Sequence, residues 1–324
     1  MEGSFGNSPH TEATEAISGS KNPEMPLRLP VGFEIREKMN AGLTSARVFH
    51  SAEECWATVS GHRMRYLRMG NGPPVLLIHG LLAYAFSWRF LFPVLAPVRT
   101  VIAPDLLGTG HSDRPADLNY GMTAAAERIF EFLDSIGADG IDVVGSSLGG
   151  AIATRMAALR PERVNKLVLV SPANPWSRHG RLISRFLATP PGGATFMGML
   201  PAIDYTQNFW LRRLFGDPKR IAPGTLEGYA EPLHTPEAWR YGILVMQHWR
   251  EDMAQLKHDF ASLADKPALL IWGTRDRAVT FSSSKQILER MRKARLEVLP
   301  GVGHLPYEEV PEKFNQVVLQ YLSG

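Results

Sequence analysis

The stretch Val143-Val144-Gly145-Ser146-Ser147-Leu148-Gly149-Gly150 decides how this chain is read. Before it stands Ile141–Val144 (IDVV), a short apolar run of the kind that forms a strand buried on both faces. After it, Ile152, Met156 and Leu159 recur at helical spacing. The octet is therefore a strand-to-helix turn. A turn this sharp crowds the positions two before and two after its centre, and there the sequence places Gly145 and Gly149, which have no side chain to clash. Ser147 at the centre is expected in a strained backbone conformation, its hydroxyl projecting beyond the sheet edge. The new helix starts at once, so its free amides and dipole face charge that develops beside the hydroxyl. Two competing readings are a glycine-rich turn with a surface serine, and Ser146 as the reactive residue, although Ser146 lies off the centre of the motif.

Working outward, seven more strand-like runs appear: Cys55–Ser60, His62–Arg68, Pro74–Ile78 (PVLLI), Thr100–Ala103 (TVIA), Lys166–Val170 (KLVLV), Ala268–Trp272 (ALLIW) and Leu296–Leu299 (LEVL). Helical spacing lies between them: Ile129, Leu133 and Ile136; Ile287 and Met291; Phe314, Val318 and Tyr321. Alternating strand and helix predicts a doubly wound, mostly parallel eight-stranded α/β sheet. The rhythm fails over 174–262, which holds Trp176, Phe196, Met197, Met199, Trp210, Trp239 and Trp249 and carries no strong strand. There Thr235-Pro236-Glu237 predicts a helix with Thr235 as N-cap and Pro236 in first position. We expect a mostly helical insertion over 174–262, a core formed by 51–173 with 263–324, and a loosely packed leader over 1–50 in which a short helix near Val31–Met39 is admissible.

A serine hydroxyl is a weak nucleophile and needs a base oriented by an acid. Gly301-Val302-Gly303-His304 follows the last strand, which brings His304 to the same sheet edge as Ser147. Ile271-Trp272-Gly273-Thr274-Arg275-Asp276 brings Asp276 there as the acid. Asp105, in the loop Asp105-Leu106-Leu107-Gly108-Thr109-Gly110, is the rival, and its simpler reading is a carboxylate capping a tight turn. An oxyanion would need two amide donors. One is Leu148 N–H and the other Leu81 N–H, with Leu82 second, in the loop His79-Gly80-Leu81-Leu82; His79 is expected to brace that loop through the backbone.

Bulk properties exclude other classes. The 324 residues carry 44% hydrophobic and 21% charged residues and a net charge of only +3, so global disorder is excluded. The densest basic run, Arg290–Arg295, is expected to be a solvated helix end rather than a nucleic-acid patch. The single cysteine, Cys55, permits neither an internal disulfide nor a thiolate zinc cluster and is expected to be inert and buried. No 18-residue apolar stretch and no signal-like N-terminus is present, so neither integral membrane association nor export is expected, and the cytoplasm is the default location. No metal or cofactor is expected.

HGLL, DLLGTGHSDRP, GSSLGG, GTRD and GVGH, in this order, resemble the α/β-hydrolase fold superfamily over about residue 55 to 324. The resemblance is to its lidded serine-hydrolase branch, with a helical cap inserted after the sixth strand, and it implies Ser147 as nucleophile, Asp276 as acid and His304 as base. Epoxide hydrolases and haloalkane dehalogenases of the superfamily carry Asp where this chain has Ser147. Its carbon–carbon bond hydrolases usually carry further glycines where this chain has Leu81-Leu82-Ala83. The expected activity is hydrolysis of a small ester with an apolar portion, through an acyl-enzyme. Carbon–carbon hydrolysis, lactone opening or acyl transfer by the same residues is the alternative. A ligand receptor with little turnover is the alternative of another class. The aromatics and methionines of the insertion suit either an apolar substrate site or plain packing.

Overall fold

The computed structural model describes residues 52–178, 181–199 and 208–324. The leader and the short helix considered near Val31–Met39 lie outside the described residues. Eight strands form one sheet: β1 (Glu53–Val59), β2 (His62–Met69), β3 (Pro74–Ile78), β4 (Thr100–Pro104), β5 (Ile141–Ser146), β6 (Val164–Val170), β7 (Ala268–Gly273) and β8 (Ala294–Leu299). Their order is β1-β2-β4-β3-β5-β6-β7-β8. β1 pairs with β2 and β2 with β4 antiparallel, and every other pairing is parallel. This is the doubly wound, mostly parallel eight-stranded sheet expected from the sequence.

The continuous apolar runs have a direct cause. Successive side chains of a strand point to opposite faces, and both faces of this sheet are covered. Leu76 and Ile78 of β3, Leu167 and Leu169 of β6, and Leu270 and Trp272 of β7 enter one core, under the helices Met122–Ser135 and Leu148–Leu159. Val75 and Leu77, Val168 and Val170, and Leu269 and Ile271 enter the other, with Phe92, Phe314, Val318 and Leu322. Burying a Leu or Ile side chain contributes about 1.5–3 kcal/mol, so a one-residue slip of any central strand would exchange two filled faces and is strongly disfavoured.

Between β6 and β7 the described residues form the helices Arg181–Leu187, Pro190–Gly198, Thr225–Ala230 and Pro236–Ser262, with short 3-10 turns. The last begins where predicted, with Pro236 in the first turn, but Thr235 does not cap it: its side chain makes no capping bond and instead accepts from Arg114 Nη1 at 3.1 Å. This helix also belongs to the core as much as to the insertion. Tyr241, Val245, Leu256 and Phe260 pack into the first core, and Asp252 Oδ1 accepts Met122 N–H at 3.0 Å.

One local expectation is corrected. Cys55 is only half-buried, because β1 is an edge strand, and partial burial raises its thiol pKa. The basic run Arg290–Arg295 follows directly on the helix Ser284–Leu288, whose last turn Met291 N–H closes on Ile287 O at 2.9 Å; Arg292, Lys293 and Arg295 are exposed, while Arg290 stacks 4.3 Å over Trp176 and Met291 is buried.

Candidate active site

Parallel pairing puts the C-terminal ends of β5, β7 and β8 at one edge of the sheet, so the loops that follow them share it. Ser147 lies immediately after β5 at φ 53°, ψ −116°, one of four positive-φ positions among the described residues that are not glycine. Its backbone is pinned: Ser147 N–H donates to Val170 O at 2.9 Å, and Ser147 O accepts from Ala173 N–H at 2.9 Å. The glycines on either side are required by close approach. A Cβ on Gly145 would lie 2.4 Å from Gly149 O, and one on Gly149 would lie 2.2 Å from Ile78 O. Neighbouring Ser146 is fully buried, and its hydroxyl donates to Tyr307 OH at 3.4 Å.

Asp276 and His304 are brought together. Asp276 Oδ2 lies 2.8 Å from His304 Nδ1, both side chains being buried. A carboxylate only accepts, so Nδ1 carries the proton and Nε2 is left as the basic nitrogen. Asp276 Oδ1 accepts the N–H groups of Ala278 and Val279 at 2.8 and 2.9 Å. Burial works against the ionised carboxyl, but its electrostatic interaction and hydrogen bond with His304, together with these amide hydrogen bonds, prevail and hold its pKa below the usual value. The two loops are also tied crosswise: Arg275 N–H donates to Val302 O and Gly301 N–H to Thr274 Oγ1, each at 2.9 Å. Ser147 Oγ has no hydrogen-bond partner among the described residues, so Asp276 and His304 are paired without a serine–histidine bond. A catalytic hydrogen bond of this kind commonly closes only with substrate.

The loop after β3 lies against the serine: a Cβ on Gly80 would sit 3.3 Å from Ser147 Cβ. His79 is fully buried, and its Nε2 accepts Leu106 N–H at 3.1 Å. Its Nδ1–H therefore donates to Gly80 O, 2.8 Å away, and Ala83 N–H donates to the same oxygen at 3.2 Å. Burial lowers the His79 pKa, in keeping with a neutral ring. A trans peptide sets its N–H opposite its C=O, so pinning Gly80 O also fixes the direction of Leu81 N–H. Leu82 follows at φ 56°. Neither Leu81 N–H nor Leu148 N–H, at the first position of the helix Leu148–Leu159, has an acceptor among the described residues. Asp105 takes a different part, with Oδ1 accepting Ala85 N–H at 2.8 Å and Oδ2 accepting His111 N–H at 3.0 Å and Arg65 Nη1 at 3.1 Å.

Two adjacent carboxylates in the short helix Pro306–Glu309 that follows His304 have no motif to announce them. Glu308 forms a buried ion pair with Arg89 (Nη2 to Oε2, 2.5 Å), Arg89 Nη2 also donates to Thr225 Oγ1 at 2.8 Å, and Tyr229 OH donates to Glu308 Oε1 at 2.9 Å. Glu309 accepts four donors: Gly303 N–H and Gly216 N–H at 2.8 Å, Asp217 N–H at 3.0 Å and Arg220 Nη1 at 3.2 Å. Acidic residues in the first turn of a helix read most simply as partners of its dipole, which hides both roles.

The insertion's aromatics divide. Trp176 packs on Phe260 and Trp239 on Phe196, with ring centroids 5.6 and 5.9 Å apart, whereas Trp210 and Met199 are exposed. Among the described residues no cluster of three or more His, Cys, Asp or Glu is placed to hold a metal ion, and no helix is long and apolar enough to cross a membrane.

Known proteins share this plan. The 2-hydroxymuconate semialdehyde hydrolase of Pseudomonas sp. strain CF600 is 29% identical over 270 residues, covering 82% of this chain and 92% of that protein. Haloalkane dehalogenase 2 of Mycobacterium bovis is 29% identical over 298 residues, covering 87% of this chain and 99% of that protein. An alpha/beta hydrolase fold protein from Burkholderia ambifaria, known from its crystal structure, matches with a TM-score of 0.73 at 25% identity, over 82% of this chain and 97% of its own. The model of the alpha/beta hydrolase family matches residues 75–317, from β3 into the final helix, and the chain belongs to that family.

Proposed function

We propose that this protein is a serine hydrolase that cleaves carboxylic esters with Ser147, His304 and Asp276. The observation that carries the reading is the Asp276–His304 pair, 2.8 Å apart at the sheet edge where Ser147 stands in its strained turn. Ser147 Oγ attacks the acyl carbonyl while His304 Nε2 takes its proton. The oxyanion is received by Leu81 N–H and Leu148 N–H, two donors already oriented before substrate arrives. Collapse expels the alcohol, which takes the proton from His304 and leaves the acyl group on Ser147. Water, deprotonated by His304, then attacks the acyl-enzyme and releases the acid. No metal or cofactor enters these steps. The helices between β6 and β7 serve as a cap over the site and receive the apolar portion of a small-molecule substrate.

Hydrolysis of short p-nitrophenyl esters tests the reading. Turnover by the wild type that is lost in a folded Ser147→Ala variant supports it, and an inactive wild type defeats it. The relationship to 2-hydroxymuconate semialdehyde hydrolase favours one second reading, carbon–carbon bond hydrolysis by the same three residues. Leu81-Leu82-Ala83 beside the site speaks for the ester, because the resemblance ties further glycines at these positions to carbon–carbon hydrolases. The likeness to haloalkane dehalogenase 2 does not bring dehalogenation with it, because this chain holds a serine where that branch carries a carboxylate. Ester, lactone and vinylogous diketone substrates assayed side by side separate these reactions.

A further inference from the structure

We propose that Glu309 is a positioning residue for His304, and that it works by fastening the loop of the base to the segment Leu214–Asp217 of the insertion. The reaction it would serve is the one proposed above, but the contacts that argue for it stand apart from the reaction.

The imidazole of His304 is held at its ring by Asp276. Its backbone is held separately. Gly303 N–H donates to Glu309 Oε2 at 2.8 Å, and His304 N–H donates to Leu214 O at 2.6 Å. The two amides flanking the Gly303 carbonyl carbon are thus anchored by different groups, one a carboxylate and the other a carbonyl of the insertion. The same Glu309 Oε2 accepts Gly216 N–H at 2.8 Å, while Oε1 accepts Asp217 N–H at 3.0 Å and Arg220 Nη1 at 3.2 Å. One carboxylate therefore bridges the base loop and the insertion. Hydrogen bonds to an ionised acceptor are shorter and stronger than neutral ones, and Glu309 is buried, where water competes little.

The backbones meet without intervening side chains. A Cβ on Gly303 would lie 2.3 Å from Leu214 O and 2.4 Å from Gly216 N, and one on Gly216 would lie 2.4 Å from Gly301 O. With so little space, a displacement of Leu214–Asp217 passes directly to Gly303 and His304. The arrangement makes the placement of the base depend on the docking of the insertion, with Glu309 as the joint.

The experiment compares full-length wild type with Glu309→Gln, which keeps the shape and turns one accepting oxygen into a donor facing N–H groups. Two readouts are taken below the melting temperature of both proteins: kcat and KM on a p-nitrophenyl ester, and the low-field proton resonance of His304 Nδ1–H, assigned by its absence in His304→Gln. The expected result is a kcat lowered by about 10- to 100-fold with KM changed less than about threefold, because misplacement of a catalytic group by ~1 Å has an effect of that order. The Nδ1–H resonance is expected to broaden or to exchange at least ~10-fold faster. A folded variant with wild-type kcat and an unchanged resonance overturns the proposal and leaves Glu309 as a stitch between core and insertion. If Glu309→Gln does not fold, Glu309→Asp is judged by the same two readouts, and failure of both to fold also overturns it. A wild type inactive on esters defeats the proposed reaction alone, since the resonance reports the ring of His304 whatever the substrate.

Discussion

Asp276 Oδ2 and His304 Nδ1 stand 2.8 Å apart, and the second oxygen of Asp276 is taken up by two backbone amides. The carboxylate is thus fixed before it orients the ring, and the ring can present only Nε2 to a substrate. Asp276→Asn keeps the shape but replaces an acceptor by a donor or turns the ring to its other tautomer. We predict a fall in kcat of about 10³- to 10⁴-fold with the fold retained, read by steady-state ester kinetics beside circular dichroism. A loss below about tenfold would remove Asp276 from the role of acid.

The elbow should not tolerate a methyl group. Gly149→Ala places a Cβ 2.2 Å from Ile78 O, a contact that only backbone movement can relieve, whereas a Cβ on exposed Gly198 meets nothing within 4 Å. Gly149→Ala is expected to lower stability by more than about 3 kcal/mol or to prevent folding. Gly198→Ala, at the end of a helix, is expected to be neutral or to stabilise by up to about 1 kcal/mol. Urea denaturation of the pair checks both.

The Arg89–Glu308 pair predicts a non-additive double variant. Arg89→Met strands a buried carboxylate whose pKa burial already raises, and it should cost about 3–5 kcal/mol. Arg89→Met with Glu308→Leu removes the stranded charge and should recover part of that loss, as measured by chemical denaturation of the four proteins. Equal losses in the single and double variants would mean that the charge itself is not the source of the cost.

Asp252 gives stability a pH dependence. Burial pushes its pKa up to about 6 from the ordinary 3.8, in spite of the Met122 N–H bond and the nearby His248. Between these values the folded protein holds a proton that the unfolded chain releases, so stability falls as pH rises through the window. The penalty is fully present above about pH 6 and absent below about pH 4. Asp252→Asn is therefore expected to be more stable than wild type at pH 8, by about 1–3 kcal/mol, and the gain should shrink towards pH 4. Thermal melts across pH 4–8 check this, and a constant difference would place the effect elsewhere.

The chain disclosed most of its strand plan and the placement of its proposed site. PVLLI, KLVLV and ALLIW are continuous because both faces of the sheet are buried, and the ends of IDVV, ALLIW and LEVL locate the loops that carry Ser147, Asp276 and His304. The part that stayed hidden depends on contacts between residues far apart in sequence. Glu309 meets Gly216 and Asp217, 93 and 92 positions away, and Thr235 meets Arg114, 121 positions away. No local spacing records such pairs. Cys55 was misjudged for a related reason: strand propensity marks β1 but does not say that β1 lies at the edge of the sheet.

The central claim is that Ser147 is the nucleophile, and the most direct measurement is mass spectrometric location of a fluorophosphonate adduct on the native protein. The account predicts a single phosphonylated peptide carrying the label on Ser147, with labelling abolished in a folded Ser147→Ala variant and strongly slowed in His304→Gln. An adduct on Ser146 or any other residue, or undiminished labelling of Ser147→Ala, would contradict it.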